Sequence, residues 1–190
     1  MSDFERVLNK YGARGLGYAI FSMIVEREPL VIIVNNDEDI ELLTFILEEV
    51  RDRYEIRKTP TSKYKLANFE IIKKEDYYKN WRAFSGKRLI FIEEDKNLFC
   101  PGLDLLERII EEVVLSKTRD PIGRIAMRVS DVLTSLELAK DYYMQYLEKK
   151  IDEKKLMSLL QARFPKKEEA DLILEIIKSL FMLSVKSTKE

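Results

Sequence analysis

Hydrophobic and polar residues follow two patterns along the chain, and the first consists of short apolar runs. The clearest runs are LVIIV at 30–34 and RLIFI at 88–92, which suit strands buried on both faces of a sheet. YEIRK at 54–58 and LANFEII at 66–72 are two further candidates. These segments predict up to four strands.

The second pattern places apolar residues three and four apart, as on one face of an amphipathic helix. After Asp120 and Pro121 it is the only pattern present. The predicted helices cover about 3–10, 18–27, 39–54, 76–84, 103–117, 125–147, 154–164 and 165–183. Ser2 and Glu5 have the spacing of a capping box, which predicts the start of the first helix.

Apolar strands that alternate with helices predict a three-layer α/β domain. We expect a mostly parallel sheet of three to five strands flanked by helices. The purely helical pattern further on predicts an all-helical C-terminal unit. The two patterns meet near residue 119, so we expect an α/β domain over 1–119 and a helical unit over 120–190.

The composition excludes most familiar enzyme chemistry. The 190 residues are 46% hydrophobic and 35% charged, as in a globular domain, but include no histidine and a single cysteine, Cys100. The chain therefore has no imidazole base, no Ser–His or Cys–His nucleophile, and neither a zinc site nor a disulfide of its own. We expect a protein that is not an enzyme and uses no cofactor.

The same composition bears on location. The longest apolar run, 16–25, is shorter than the roughly 20 residues of a membrane span, and the first ten residues lack a signal peptide's apolar centre. We therefore expect a cytoplasmic protein with no membrane partner. Abundant Lys, Glu and Ile with two glutamines is typical of a thermophile.

Three of the six glycines lie in YGARGLGYA, residues 11–19. Gly12 and Gly17 have the GxxxxG spacing of a phosphate-binding P-loop, but Tyr and Ala follow where that motif has Lys and Ser or Thr. Together with the carboxylates that end LIFIEE at 89–94, the loop resembles a degenerate AAA-type P-loop NTPase core over about residues 7–95. The resemblance implies a pseudo-NTPase with a regulatory role. The alternative is a glycine-rich turn that lets two helices pack closely.

Carboxylates follow two of the predicted strands. Asp37, Glu38 and Asp39 come after the first, and residues 93–95 after the last. The carboxyl ends of parallel strands meet at one edge, so these side chains could hold Mg²⁺. We favour the alternative, in which they stabilise helix N-termini, and predict no metal site.

Charge is distributed unevenly in a chain whose formal net charge is −1. Residues 1–50 carry four basic and ten acidic side chains, whereas residues 51–88 carry twelve basic and five acidic ones. Aromatic residues are interleaved with the cations of residues 62–88, which is the mixture that binds phosphates and stacks bases. The predicted nucleic-acid-binding residues are Lys63, Tyr64, Lys65, Lys73, Lys74, Tyr77, Tyr78, Lys79, Trp81, Arg82, Lys87 and Arg88.

The leading hypothesis from these residues is a non-catalytic nucleic-acid-associated protein, binding DNA or RNA. The alternative is that the rings belong to the core and the lysines merely solvate an exposed face.

The C-terminal residues 151–190 resemble the tail of a winged-helix domain, with helix, turn, helix and a possible wing strand at 183–189. The alternative is a helical hairpin whose apolar residues 172–183 pack on the α/β domain or on a second copy of the chain. If the hairpin packs on a second copy, the protein is a homodimer and a structural assembly subunit.

Overall fold

The computed structural model of the protein describes residues 1–25, 29–58, 65–95 and 101–187, without the side chains of residues 25, 101, 102 and 179–187. The elements in these ranges are α1 Asp3–Val25, β1 Leu30–Val34, α2 Asp37–Arg57, β2 Phe69–Lys73, α3 Lys74–Asn80, a 3₁₀ helix Trp81–Phe84, β3 Arg88–Phe91, α4 Ile92–Asp95, α5 Pro101–Leu115, α6 Pro121–Leu147, α7 Glu153–Arg163 and α8 Lys167–Ser187. None of the helices in the described part of the chain is long and apolar enough to cross a membrane.

The strands form a three-stranded parallel sheet in the order β2-β1-β3, flanked by helices, so the predicted α/β class is confirmed. All five residues of β1 are buried, as its uninterrupted apolar run predicts. Leu30, Ile32 and Val34 face the main core. Since side chains alternate along a strand, Val31 and Ile33 face the opposite side.

The chain crosses that opposite side between β2 and β3. Because β1 lies between these two strands, the connection must pass over it, and α3 with the 3₁₀ helix makes this crossing. Tyr77 of α3 lies edge-on against Phe91, which pairs with Ile33. The sheet therefore has the main core on one face and the segment 74–84 on the other.

Gly12 separates the two helical stretches that make up α1, and Gly15 and Gly17 lie in the second of them. Ser2 and Glu5 form the predicted capping box, with the Ser2 N–H donating to Glu5 at 2.6 Å and the Glu5 N–H donating to the Ser2 hydroxyl at 3.2 Å. The predicted turn is a kink in α1 at Gly12, where φ is 70°. A Cβ at Gly17 would stand 3.1 Å from the backbone nitrogen of Glu107, so this glycine allows close packing of α1 on α5.

The predicted strand at 54–58 is wrong, because residues 54–57 form the last turn of α2. Tyr54 is buried one turn after Val50 and so continues the apolar face of the helix. Strand β2 begins at Phe69, three residues later than its apolar run, and before it the Ala67 N–H donates to the carbonyl of Met23.

The hydrophobic core is continuous across the boundary predicted near residue 119. Helix α6 packs on α2, and α8 packs on α5. Division into two units stays a prediction. Residues 183–187, where a wing strand was one possibility, continue helix α8.

Asp120 joins the two halves of the chain and caps α6. Its carboxylate accepts the Gly123 N–H at 3.0 Å and lies 2.7 and 2.6 Å from the Arg53 guanidinium of α2. Both side chains are more than one third exposed, so the ion pair contributes less than the cap.

We expect Asp120→Ala to lower the free energy of unfolding by about 1 kcal/mol, because α6 loses its N-cap. Asp120→Asn keeps a capping oxygen and loses the charge, so its loss is smaller. Urea unfolding of both variants measures the difference. Equal losses would show that the ion pair, not the cap, is the stabilising contact.

Candidate nucleic-acid interface

Aromatic rings hold the crossing segment against β3. The Tyr77 ring centroid lies 5.4 Å from that of Tyr78, 6.0 Å from that of Phe84 and 5.6 Å from that of Phe91. Tyr77, Phe84 and Phe91 are half-buried, so their apolar contacts secure a segment in which no residue is fully buried. The rings therefore fix the position of the side chains on its outer side.

Two large rings on that outer side remain in solvent. Tyr78 is 61% exposed and Trp81 is 56% exposed. The Arg82 guanidinium lies 5.4 Å from the centre of the Trp81 ring, and Lys79 is exposed nearby in the sequence. Two exposed rings and two exposed cations therefore lie within the five consecutive residues Tyr78 to Arg82.

Two lysines extend this face at its ends. The Lys87 ammonium lies 5.5 Å from the centre of the Phe84 ring, and that of Lys74 lies 5.9 Å from the centre of the Phe91 ring. Lys74 and Tyr78 are four residues apart on one side of α3. We call the following side chains the α3 surface: Lys74, Tyr77, Tyr78, Lys79, Trp81, Arg82, Phe84 and Lys87.

The remaining predicted residues are not all in one place. Lys73 pairs in register with Val34 at the carboxyl edge of the sheet, whereas Arg88 pairs with Leu30 at the amino edge. Lys65 is exposed shortly before β2, which begins at the amino edge. Four residues of strand separate these edges by about 13 Å. Lys63 and Tyr64 lie outside the described residues.

Carboxylates of the described residues hold three of the predicted cations. Lys73 lies 3.0 Å from Asp37, Lys87 lies 3.4 Å from Glu70, and Lys74 is paired with Glu94. Hydrogen bonding to Asp37 raises the pKa of Lys73, and the corresponding bond to Glu94 raises the pKa of Lys74. These partners belong to α2, α4 and β2, so they could not be predicted from the residues next to each lysine in the sequence.

The carboxyl edge of the sheet contains further pairs that the sequence did not predict. Both oxygens of Asp39, whose side chain is 3% exposed, lie 2.6 and 2.5 Å from the Lys10 ammonium. Asn35 donates to Glu93. Burial raises the pKa of the Tyr11 phenol, and the carboxylates of Asp39 and Glu93 raise it further.

These pairs bear on the possible magnesium site. Within the described ranges, no group of three or more Asp, Glu or Cys side chains is arranged to hold a metal ion. The Asp39 carboxylate is paired with the Lys10 ammonium, and the Asp95 carboxylate accepts the Phe91 N–H at 2.8 Å. Carboxylates follow both strands, as predicted, but they bind groups of the protein itself.

Arg14, the cation of the glycine-rich segment, also faces the protein. Its guanidinium lies 2.7 Å from Asp104 and 2.6 Å from Glu107, both on α5. Residues 13–25 are helical, so most of their N–H groups donate along α1. The segment therefore serves the packing of α1 on α5.

No protein-family model matches the sequence, and no curated protein or solved structure matches it either. The degenerate P-loop and winged-helix resemblances therefore stay predictions. The function rests on the side chains of the site itself.

Proposed function

We propose that the protein binds single-stranded DNA or RNA on the α3 surface, without catalysis. The observation that carries this proposal is that Trp81 and Tyr78 are more than half exposed beside Lys79 and Arg82. Burial of such rings in a core is favourable, so two of them held in solvent on one short segment indicate a contact surface.

The rings suit unpaired bases. Both faces of a base are covered in a duplex, whereas a single strand offers them for stacking on aromatic side chains, at about 1–3 kcal/mol per base. Guanidinium planes stack on bases in the same way, and Arg82 already lies over Trp81.

The cations suit the phosphates of the same strand. Neither Lys79 nor Arg82 has a carboxylate partner within the described part of the chain. Residues 74–88 carry five basic and two acidic side chains, so the segment is positive in a chain of net charge −1. Lysine and arginine neutralise phosphates and release counterions, which makes binding dependent on salt.

The single tryptophan of the chain makes a direct test possible. Because Trp81 is the only one, a base that stacks on it is expected to quench the intrinsic fluorescence of the protein. We expect quenching by oligo-dT and oligo-U, and weaker quenching by a matched duplex. Log affinity should fall with log salt by about 0.7 for each phosphate contacted. No quenching by any strand at low salt would contradict the proposal.

Two alternatives, a pseudo-NTPase and an assembly subunit, have less support in the geometry. Arg14 is engaged by α5, which leaves the glycine-rich segment without a free cation for phosphate. Of the apolar residues in 172–183, Ile173, Ile176 and Ile177 are buried within the chain itself. Thermal stabilisation by ATP with Mg²⁺ would favour the first alternative, and a dimer in light scattering would favour the second.

A further inference from the structure

Lys74, which belongs to the α3 surface, and its neighbour Lys73 are held by carboxylates of other elements. Lys73 ends β2 and Lys74 begins α3, whereas Asp37 lies in the first turn of α2 and Glu94 in α4. The pairs are Lys73 with Asp37, at 3.0 Å, and Lys74 with Glu94. Neither carboxylate belongs to the segment that carries the rings.

These ion pairs are open to solvent and can be exchanged. The Asp37 and Glu94 side chains are 74% and 51% exposed. Exposed pairs contribute little to stability, so their separation costs little when another anion takes the place of the carboxylate. A phosphate is such an anion, and Lys74 borders the rings through Phe91 and Tyr78.

Other acidic groups near the lysines oppose a polyanion. The negative charges of Glu75 and Asp76 raise the pKa of Lys73, and that of Glu93 raises the pKa of Lys74. The carboxyl edge therefore contributes less attraction than its two lysines alone predict. Lys79 and Arg82 form no ion pair among the described residues, but Glu75 and Asp76 precede Lys79 by one turn of α3 and also oppose a polyanion there.

We propose that Asp37 and Glu94 are intramolecular competitors of nucleic-acid phosphate, which hold Lys73 and Lys74 and thereby lower the affinity of the α3 surface. This inference rests on the proposed function. A strand that stacks on Trp81 and Tyr78 must displace the two carboxylates before its phosphates reach these lysines. The exchange sets both the affinity and the number of phosphates in the complex.

The test neutralises both competitors in the full-length chain. We expect Asp37→Asn with Glu94→Gln to bind oligo-dT about three- to tenfold more tightly at low salt, by quenching of Trp81 fluorescence. The salt dependence should steepen by about 0.7 for each lysine released. Adding Lys73→Gln and Lys74→Gln to this variant should remove the gain.

The matched control is Glu111→Gln with Glu153→Gln, which makes the same change in net charge at exposed positions of α5 and α7. An equal gain in the control would overturn the inference, because net charge alone would then explain it. If the wild type binds but Asp37→Asn with Glu94→Gln leaves the salt slope unchanged, only the competition is overturned.

If no strand quenches the Trp81 fluorescence of the wild type, the proposed function is overturned. If Asp37→Asn impairs folding, judged by circular dichroism, Glu94→Gln alone should give half the change in slope.

Discussion

Alanine at Trp81 is expected to weaken binding of single strands by about 5- to 150-fold, the loss of one stacked base. Tyr78→Ala should cost a further factor of similar size, since the two rings are separate stacking surfaces, both more than half exposed. Anisotropy of a labelled oligonucleotide measures the affinity, because the variant lacks the only tryptophan. Stability should change little, as no core contact is lost.

Phe45→Ala is the matched control for these substitutions. Phe45 is a large ring, 49% exposed, on α2 and outside the α3 surface. Its removal should leave the affinity unchanged. Trp81→Phe should recover most of the binding, since phenylalanine retains a stacking face. If Phe45→Ala lowers the affinity as much as Trp81→Ala does, binding is not located on the α3 surface.

Methionine at Lys10 is expected to give the largest loss of stability, about 2–3 kcal/mol. The Asp39 carboxylate is buried and both its oxygens bind the Lys10 ammonium, so removal of the ammonium leaves the buried charge without its ion-pair partner. Loss of one member of a buried pair typically costs 3–5 kcal/mol. The estimate here is lower because the Lys10 side chain is 34% exposed and admits water.

A double-mutant cycle separates the ion pair from other effects. Asp39→Asn in the Lys10→Met background removes the uncompensated charge and should recover most of the stability. Lys10→Arg keeps the charge and should cost least. Denaturant unfolding at pH 7 measures the wild type, Lys10→Met, Asp39→Asn, the double variant and Lys10→Arg. A loss below about 0.5 kcal/mol for Lys10→Met would mean that Asp39 is solvated without its partner.

The pattern of hydrophobic residues was sufficient to predict most of the helices and strands. β1 and β3 were predicted from their apolar runs, but burial on both faces is found only for β1, since three of the four residues of the edge strand β3 are half-buried. The strand expected at 54–58 was wrong because a short stretch with alternate apolar residues also fits the end of a helix. Tyr54 lies in that helix and is buried by other parts of the fold, which residues 54–58 alone do not reveal.

Part of the candidate site was predicted, namely the part whose residues are close together in the sequence. Rings and cations of residues 77–82 are close in sequence and lie on one short segment, so they stay together in the fold. Lys73 and Arg88 are also in the basic region but lie at opposite edges of the sheet. Phe91, which supports Tyr77, was assigned only to a buried strand.

The sequence by itself determined the α/β class, the absence of histidine chemistry and the position of an aromatic, basic segment, since each depends on residue type and near neighbours. Only the tertiary structure decided that Trp81 and Tyr78 face solvent and that Asp37 and Glu94 hold two of the lysines. The physical reason is that burial and ion pairing depend on atoms brought together from distant elements. A carboxylate 36 residues from its lysine leaves no trace in a local pattern.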